Sequence, residues 1–80
     1  MHAIILTIAI IAASSQDYAH VAINITNNNP RHWYSLQRKA DASGQWVELY
    51  QYNNSSKTAQ ELDYEVLPKA FYRVVDQGEH

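Results

Sequence analysis

Three groups of residues in this chain have types that could do acid–base, metal or nucleophilic chemistry. They are a pair of neighbouring carboxylates, Asp63 and Glu65, four histidines and scattered serines. Asp63 and Glu65 are two residues apart, which places both carboxylates on one face of a strand, where they could act as an acid and base pair. However, acidic residues alternate with apolar ones around them, which predicts that their face meets solvent. We therefore expect neither pKa to shift enough for catalysis.

The histidines and serines lack the spacing of a known site. His2, His20, His32 and His80 are too scattered to put two metal ligands on one element, so solvated side chains and no metal are expected. The serines lie in loop segments without a His and Asp context, and two glycines cannot form a phosphate-binding loop. The sequence therefore predicts no catalytic residue, no cofactor site and no enzyme.

Aromatic residues form a more promising pattern, because they fall on two neighbouring strands. If these strands pair symmetrically about Ala42-Ser43, one face holds Trp33, Trp46, Tyr50 and Tyr52, with Lys39 beside Trp46. Such a face could stack on a sugar ring or anchor a protein partner. Alternatively, the aromatic pairs and a cation–π contact between Lys39 and Trp46 stiffen the sheet without binding anything.

Length and composition restrict the setting of these residues. The chain has 80 residues, which is the size of one domain over residues 1–80. It is 46% apolar and has no cysteine, so it should fold without disulfides or thiolate-bound metals. Its net charge of −2 provides no basic patch, so nucleic acid is excluded as an expected partner and a membrane surface is disfavoured.

Regular alternation of apolar and polar residues predicts about six strands and no helix. Val21, Ile23 and Ile25 alternate with polar or small residues, and Leu62, Tyr64 and Val66 are predicted to point inward. Further strands are predicted at 34–39, 46–50 and 71–75, with a turn at 41–44 in which Gly44 can take a positive φ. The pattern indicates an all-β fold, as a small antiparallel sandwich or barrel.

The Ile-rich segment 1–13 has two interpretations. As a strand it is apolar on both faces, so its own domain should cover one face and another chain the other, with Ile5 and Ile11 at that protein interface. As a signal peptide it would be removed near the small residues 12–15, although no Lys or Arg precedes the apolar run. We favour the strand.

The segment from Val66 through Pro68 to Tyr72 resembles the tyrosine corner of fibronectin type III domains. The hairpin from Trp33 to Leu49 is similar to the C and C′ strands of the same family. The resemblance implies an Ig-like, fibronectin-III-like sandwich in which the Tyr72 hydroxyl returns to a backbone group near the corner. Two departures stand out: strand 21–26 has no Trp, and there is no clear G strand. Either the N-terminal segment replaces the G strand, or the last strand keeps an open edge that pairs with another polypeptide. A third alternative is a short edge that Asp76 and Glu79 protect from pairing.

These features predict a non-enzymatic structural or interaction module. It would join protein partners, as a homo-oligomer or by packing onto or decorating a larger assembly such as a virus or phage particle, and would then lie at that surface. The alternative is a secreted, extracellular binding or adhesion domain that recognises carbohydrate or protein through the aromatic face, with residues 1–15 removed as a signal.

Overall fold

Six β-strands build the fold in the computed structural model, which describes residues 4–15, 18–53 and 57–79. The strands are β1 (Ile5–Ile11), β2 (His20–Thr26), β3 (His32–Lys39), β4 (Val47–Tyr52), β5 (Ala59–Asp63) and β6 (Phe71–Glu79). They form two antiparallel three-stranded sheets in the orders β1-β2-β5 and β4-β3-β6. The predicted all-β architecture with six strands is confirmed. The described residues contain no helix long and apolar enough to cross a membrane.

The core lies between the two central strands. Val21, Ile23 and Ile25 of β2 point toward β3, and the last two are fully buried. From the other sheet, Tyr34 and Leu36 point back toward β2 and are also buried. Because alternate residues of a strand share a face, the period-2 pattern placed these side chains in the core as predicted.

The β3–β4 hairpin forms where the sequence predicted it, but glycine acts differently in its turn. The Asp41 carboxylate accepts a hydrogen bond from the Ser43 backbone N–H at 3.0 Å, and the Gly44 N–H donates to the Asp41 carbonyl at 3.1 Å. Gly44 does not have a positive φ; the described residues that do are Asn27 and Gly78. A Cβ at Gly44 would lie 3.2 Å from the Asp41 Oδ1 atom, so a larger residue here would have to displace the Asp41 side chain by a few tenths of an ångström.

A β-bulge changes the register within this hairpin. Near the turn, Gln37 pairs with Glu48 as the symmetric hairpin predicts. Beyond the irregularity between Leu36 and Gln37, Leu36 pairs with Tyr50 instead of Leu49. One additional residue on β4 reverses the faces of all the residues that follow it on that strand.

Both β1 and β6 are edge strands. β1 pairs with β2 and not with β6, so the possibility that the N-terminal segment replaces a G strand is wrong. β6 pairs with β3 along one side, and no described strand pairs with its other side. Among the described strands β6 therefore has a free edge, and its pairing with another polypeptide stays a prediction.

Candidate functional site

The outer face of β1 is an uncharged apolar strip. Ile5 pairs with Thr26 and Ile11 with His20, on the side of the sheet that points away from the core. Ile5 is 56% exposed and Ile11 is 41% exposed, and Thr7 and Ala9 between them are exposed as well. The structure therefore places both predicted interface residues on one face, roughly 20 Å apart for six residues of strand.

The inner face of β1 is covered over only part of its length. Ile4 and Leu6 pack against the core. Ile8 and Ile10 also point inward, because they pair with the buried residues Ile23 and Val21, yet they are 45% and 71% exposed. The expectation that the domain itself covers one face of β1 is therefore wrong for its second half.

The predicted aromatic surface is not assembled, because the bulge turns two of its four members inward. Tyr52 is 8% exposed and stacks on Tyr34 with 5.5 Å between ring centroids. Its hydroxyl donates to the Asn28 side-chain oxygen at 3.1 Å, and burial raises the Tyr52 pKa. The Tyr50 hydroxyl donates to the Leu62 carbonyl at 2.6 Å and so connects the two sheets. Both tyrosines stabilise the sandwich.

The two tryptophans lie at opposite ends of the hairpin. The Trp46 ring has the Lys39 Nζ atom 4.7 Å from its centroid and the Arg73 Cζ atom 4.3 Å from it. The predicted cation–π contact between Lys39 and Trp46 is therefore present. Trp33 is 39% exposed and lies six residues from Lys39 along β3, or roughly 20 Å. The two rings are too far apart to hold one sugar ring together.

Strand β5 has the opposite orientation to the one predicted. Asp63 pairs with Val21 and Glu61 pairs with Ile23, so the acidic residues share the core-facing side of the sheet. Leu62 points outward, whereas Tyr64 and Val66 follow the end of the strand and are exposed. The prediction of a solvent-facing carboxylate pair is wrong for Asp63, which is 6% exposed.

Asp63 is the centre of a hydrogen-bonded cluster between the sheets. Its two carboxylate oxygens accept from Arg38 Nη1 at 2.9 and 2.7 Å, and one also accepts from the Tyr72 hydroxyl at 2.8 Å. Arg38 Nη2 reaches Glu65 at 3.0 Å. The predicted role of Tyr72 at the corner is corrected in one respect: in the structure its hydroxyl donates to a carboxylate and not to a backbone group.

The surroundings of the cluster determine its protonation. Burial would raise the pKa of Asp63, but hydrogen bonds from Arg38, the Glu65 backbone N–H and Tyr72 outweigh burial and lower it. The pKa of Tyr72 is raised by burial and by its hydrogen bond to Asp63. A carboxylate held in this way is a poor proton acceptor at neutral pH, so the arrangement is suited to joining β5 to β3 and β6.

We expect this cluster to make folding stability sensitive to acid. Because the Asp63 pKa is lower in the folded state, its contribution is complete above the unfolded value of about 3.9 and is lost as pH falls below it. Burial raises the pKa of Glu61, so the contribution of Glu61 to stability has the opposite pH dependence: it increases as pH falls and the carboxylate becomes protonated. Urea unfolding in a Glu61→Gln background, from about pH 7 to about pH 2, isolates the Asp63 contribution. Adding Asp63→Asn should flatten the loss below about pH 4, and an unchanged slope would contradict this assignment.

The described histidines each have a polar neighbour within the fold. His20 is 6% exposed, its Nδ1 atom lies 2.8 Å from the Tyr18 carbonyl, and its ring lies 5.5 Å from that of Tyr64. The expectation of a solvated side chain is therefore wrong for His20. The Nδ1 atom of His32 lies 2.8 Å from Asp76. His2 and His80 lie outside the described residues. Within the described ranges, no group of three or more His, Asp or Glu side chains could hold a metal ion.

Comparison of the chain with protein-family models, with curated proteins and with solved structures found no match in any of the three.

Proposed function

We propose that the chain is a fibronectin-III-like or Ig-like sandwich in which no described strand occupies the G position. The order β1-β2-β5 matches strands A, B and E of such domains, and β4-β3-β6 matches C′, C and F. The link between β5 and β6 crosses from one sheet to the other, and the Tyr72 hydroxyl closes that corner on Asp63. Strand order and corner together support this proposal.

The function proposed for this sandwich is that of a non-enzymatic interaction module that packs onto or decorates a larger protein assembly, such as a virus or phage particle. The observation that carries the proposal is the apolar outer face of β1, where Ile5 and Ile11 remain exposed on a strand without a charged side chain. The outer face of an antiparallel sheet is usually polar, so an apolar strip there indicates a covering partner.

Simple energetics favour covering this strip. Full burial of an isoleucine side chain stabilises by about 1.5–3 kcal/mol, and each of these two retains roughly half its surface in water. A domain of this size is marginally stable on its own because it buries only about 60% of its unfolded surface. Docking would therefore stabilise the domain and the assembly together.

The alternative of a secreted domain that binds carbohydrate through its aromatic face has weaker support. Tyr52 is buried, and Tyr50 is 38% exposed with its hydroxyl bonded to the Leu62 carbonyl. Arg73 lies over the Trp46 ring. Trp33, Trp46 and Tyr50 do not share one face of the hairpin, so they do not form the continuous surface that was predicted.

Substitution of both outer isoleucines should release the protein from its assembly. In the double variant Ile5→Lys, Ile11→Lys, two ammonium groups would be buried in the contact, so we expect this variant to be lost from the complex. Wild type should co-purify from its source in a complex of constant stoichiometry. Native mass spectrometry of the purified complex measures this. Val47→Lys is the matched control, because Val47 is 54% exposed and lies on an edge strand of the other sheet.

Thermal unfolding of the isolated variants checks that each still folds. If the doubly substituted protein folds and remains in the complex at wild-type stoichiometry, the outer face of β1 is not the contact and the proposal fails.

A further inference from the structure

An apolar groove of about 140 Å³ opens at the side of the sandwich where β1 and β6 end their respective sheets. Ile8 and Ile10 of β1 line one side of the groove. Leu67, Pro68 and Tyr72 line the other, on the β5–β6 connection and the start of β6. The groove therefore lies between the free edges of the two sheets, separate from the outer face that carries Ile5 and Ile11.

The groove is the place where the interior of the sandwich is unfinished. Ile10 is 71% exposed, although its cross-strand neighbour Val21 is 4% exposed. Side chains on a core-facing side normally pack against the opposite sheet, but Ile8 and Ile10 remain exposed because β6 is the last described strand of that sheet. An additional strand beside β6 would lie across from Ile8 and Ile10 and would cover them.

We propose that a second copy of this chain supplies a strand beside β6, with β1 of each copy pairing along the free edge of β6 of the other. In each copy β1 and β6 are edge strands of different sheets, and both border the same groove. A twofold axis parallel to the strands lies between the copies. It places the β1-β2-β5 sheet of one copy beside the β4-β3-β6 sheet of the other, so the β1–β6 contact forms twice. The four three-stranded sheets of the two copies then form two six-stranded sheets, and the two grooves close on each other.

The charges agree with self-association through these strands. β1 carries no charged side chain over its seven residues, so it opposes none of the charges on β6, namely Arg73, Asp76 and Glu79. The charged residue of the groove, Lys69, has its Nζ atom 5.7 Å from the Phe71 ring centroid. Ile8 and Ile10 of the two copies would meet in the joined interior, where both gain from losing water.

The backbone supplies the second part of the contact. An edge strand presents backbone N–H and C=O groups to a possible partner strand, which is the template for strand addition. At the end of β6 the Gly78 N–H instead donates to the Asp76 carboxylate at 2.8 Å, so the earlier part of β6 is the regular edge. Each seam would pair up to the seven residues of β1 with the nine-residue β6. An antiparallel or parallel ladder satisfies these groups, and the apolar side chains determine which face points inward.

Light scattering after size exclusion tests the dimer. From micromolar to millimolar concentration we expect the mass of wild type to rise toward twice the 9.2 kDa of one chain. Ile10→Lys should remain monomeric over the same range, because it places an unpaired charge in the joined interior. Val47→Lys, on the opposite edge of the molecule, should associate as wild type does, and Ile5→Lys should also, which separates this contact from the outer face of β1.

Cross-linking tests which strands meet, without disturbing the groove. The chain has no cysteine, so Thr7→Cys on β1 and Val75→Cys on β6 each introduce a unique thiol. With a short bis-maleimide, a mixture of the two variants should give several-fold more cross-linked dimer than either variant alone. Wild type that is monomeric at millimolar concentration overturns the proposal. Cross-linking that is equal within one variant also overturns it, because β1–β1 or β6–β6 pairing would then form the contact.

Discussion

Substitution of Arg38 by Met is expected to lower the free energy of unfolding by about 3–5 kcal/mol. The guanidinium donates to both oxygens of Asp63, and the side chains of Arg38 and Asp63 are 11% and 6% exposed. Without the guanidinium, the buried Asp63 carboxylate still accepts a hydrogen bond from the Tyr72 hydroxyl but has no cation beside it. Because small domains have little stability to lose, thermal and urea unfolding should show a large downward shift or the loss of the cooperative transition.

Two comparisons separate this result from a general effect of losing arginine. Arg31→Met makes the same change at an exposed position and should leave the midpoint within about 0.5 kcal/mol of wild type. Combining Arg38→Met with Asp63→Leu removes both charges and should recover part of the loss. An Arg38→Met protein with wild-type stability would show that the ion pair does not hold the sheets together.

The second large effect is expected at Tyr52, where Tyr52→Ala should cost about 3–5 kcal/mol. The substitution removes a ring that stacks on Tyr34 in the core, and leaves the buried Asn28 side-chain oxygen without its hydroxyl donor. A cavity and an unpaired polar atom destabilise by separate mechanisms, so their costs add to one another. Urea denaturation monitored by circular dichroism measures the difference.

Trp33→Ala is the comparison for Tyr52→Ala, because both residues were assigned to one aromatic surface. Trp33 is 39% exposed on the outer face of β3, so its removal should cost clearly less stability. Equal losses at the two positions would contradict the inward orientation of Tyr52.

The fold was predictable where one face of a strand is apolar and the other polar. The alternation of Val21, Ile23 and Ile25 fixed the register of β2 relative to the core, and the turn residues around Asp41 and Gly44 located the hairpin. Both signals are local, so a single sequence contains them. The apolar outer face of β1 was likewise predictable, because Ile5 and Ile11 lie two or more positions from any charged side chain.

The errors arose where a distant residue decides the local structure. Tyr50 and Tyr52 point inward because of one additional residue in the ladder, and a bulge leaves no reliable mark in a six-residue strand. Asp63 points inward because Arg38, 25 residues earlier, lies on the core side of β3 and requires a carboxylate. The signal that could have found it is Arg38 itself, because it shares a strand face with Leu36, and alternation places the Leu36 face toward the core.

The inward-facing carboxylate of Glu61 affects how readily a foreign strand can add to the β5 edge. β5 is a free edge on the side away from the groove, and burial already raises the Glu61 pKa there. A foreign strand added along β5 would enclose that carboxylate further and remove its remaining water, which opposes the growth of amyloid-like ladders from this side. We therefore expect ionised Glu61 to disfavour strand addition along β5, and we expect this protection to weaken where acid neutralises the carboxylate.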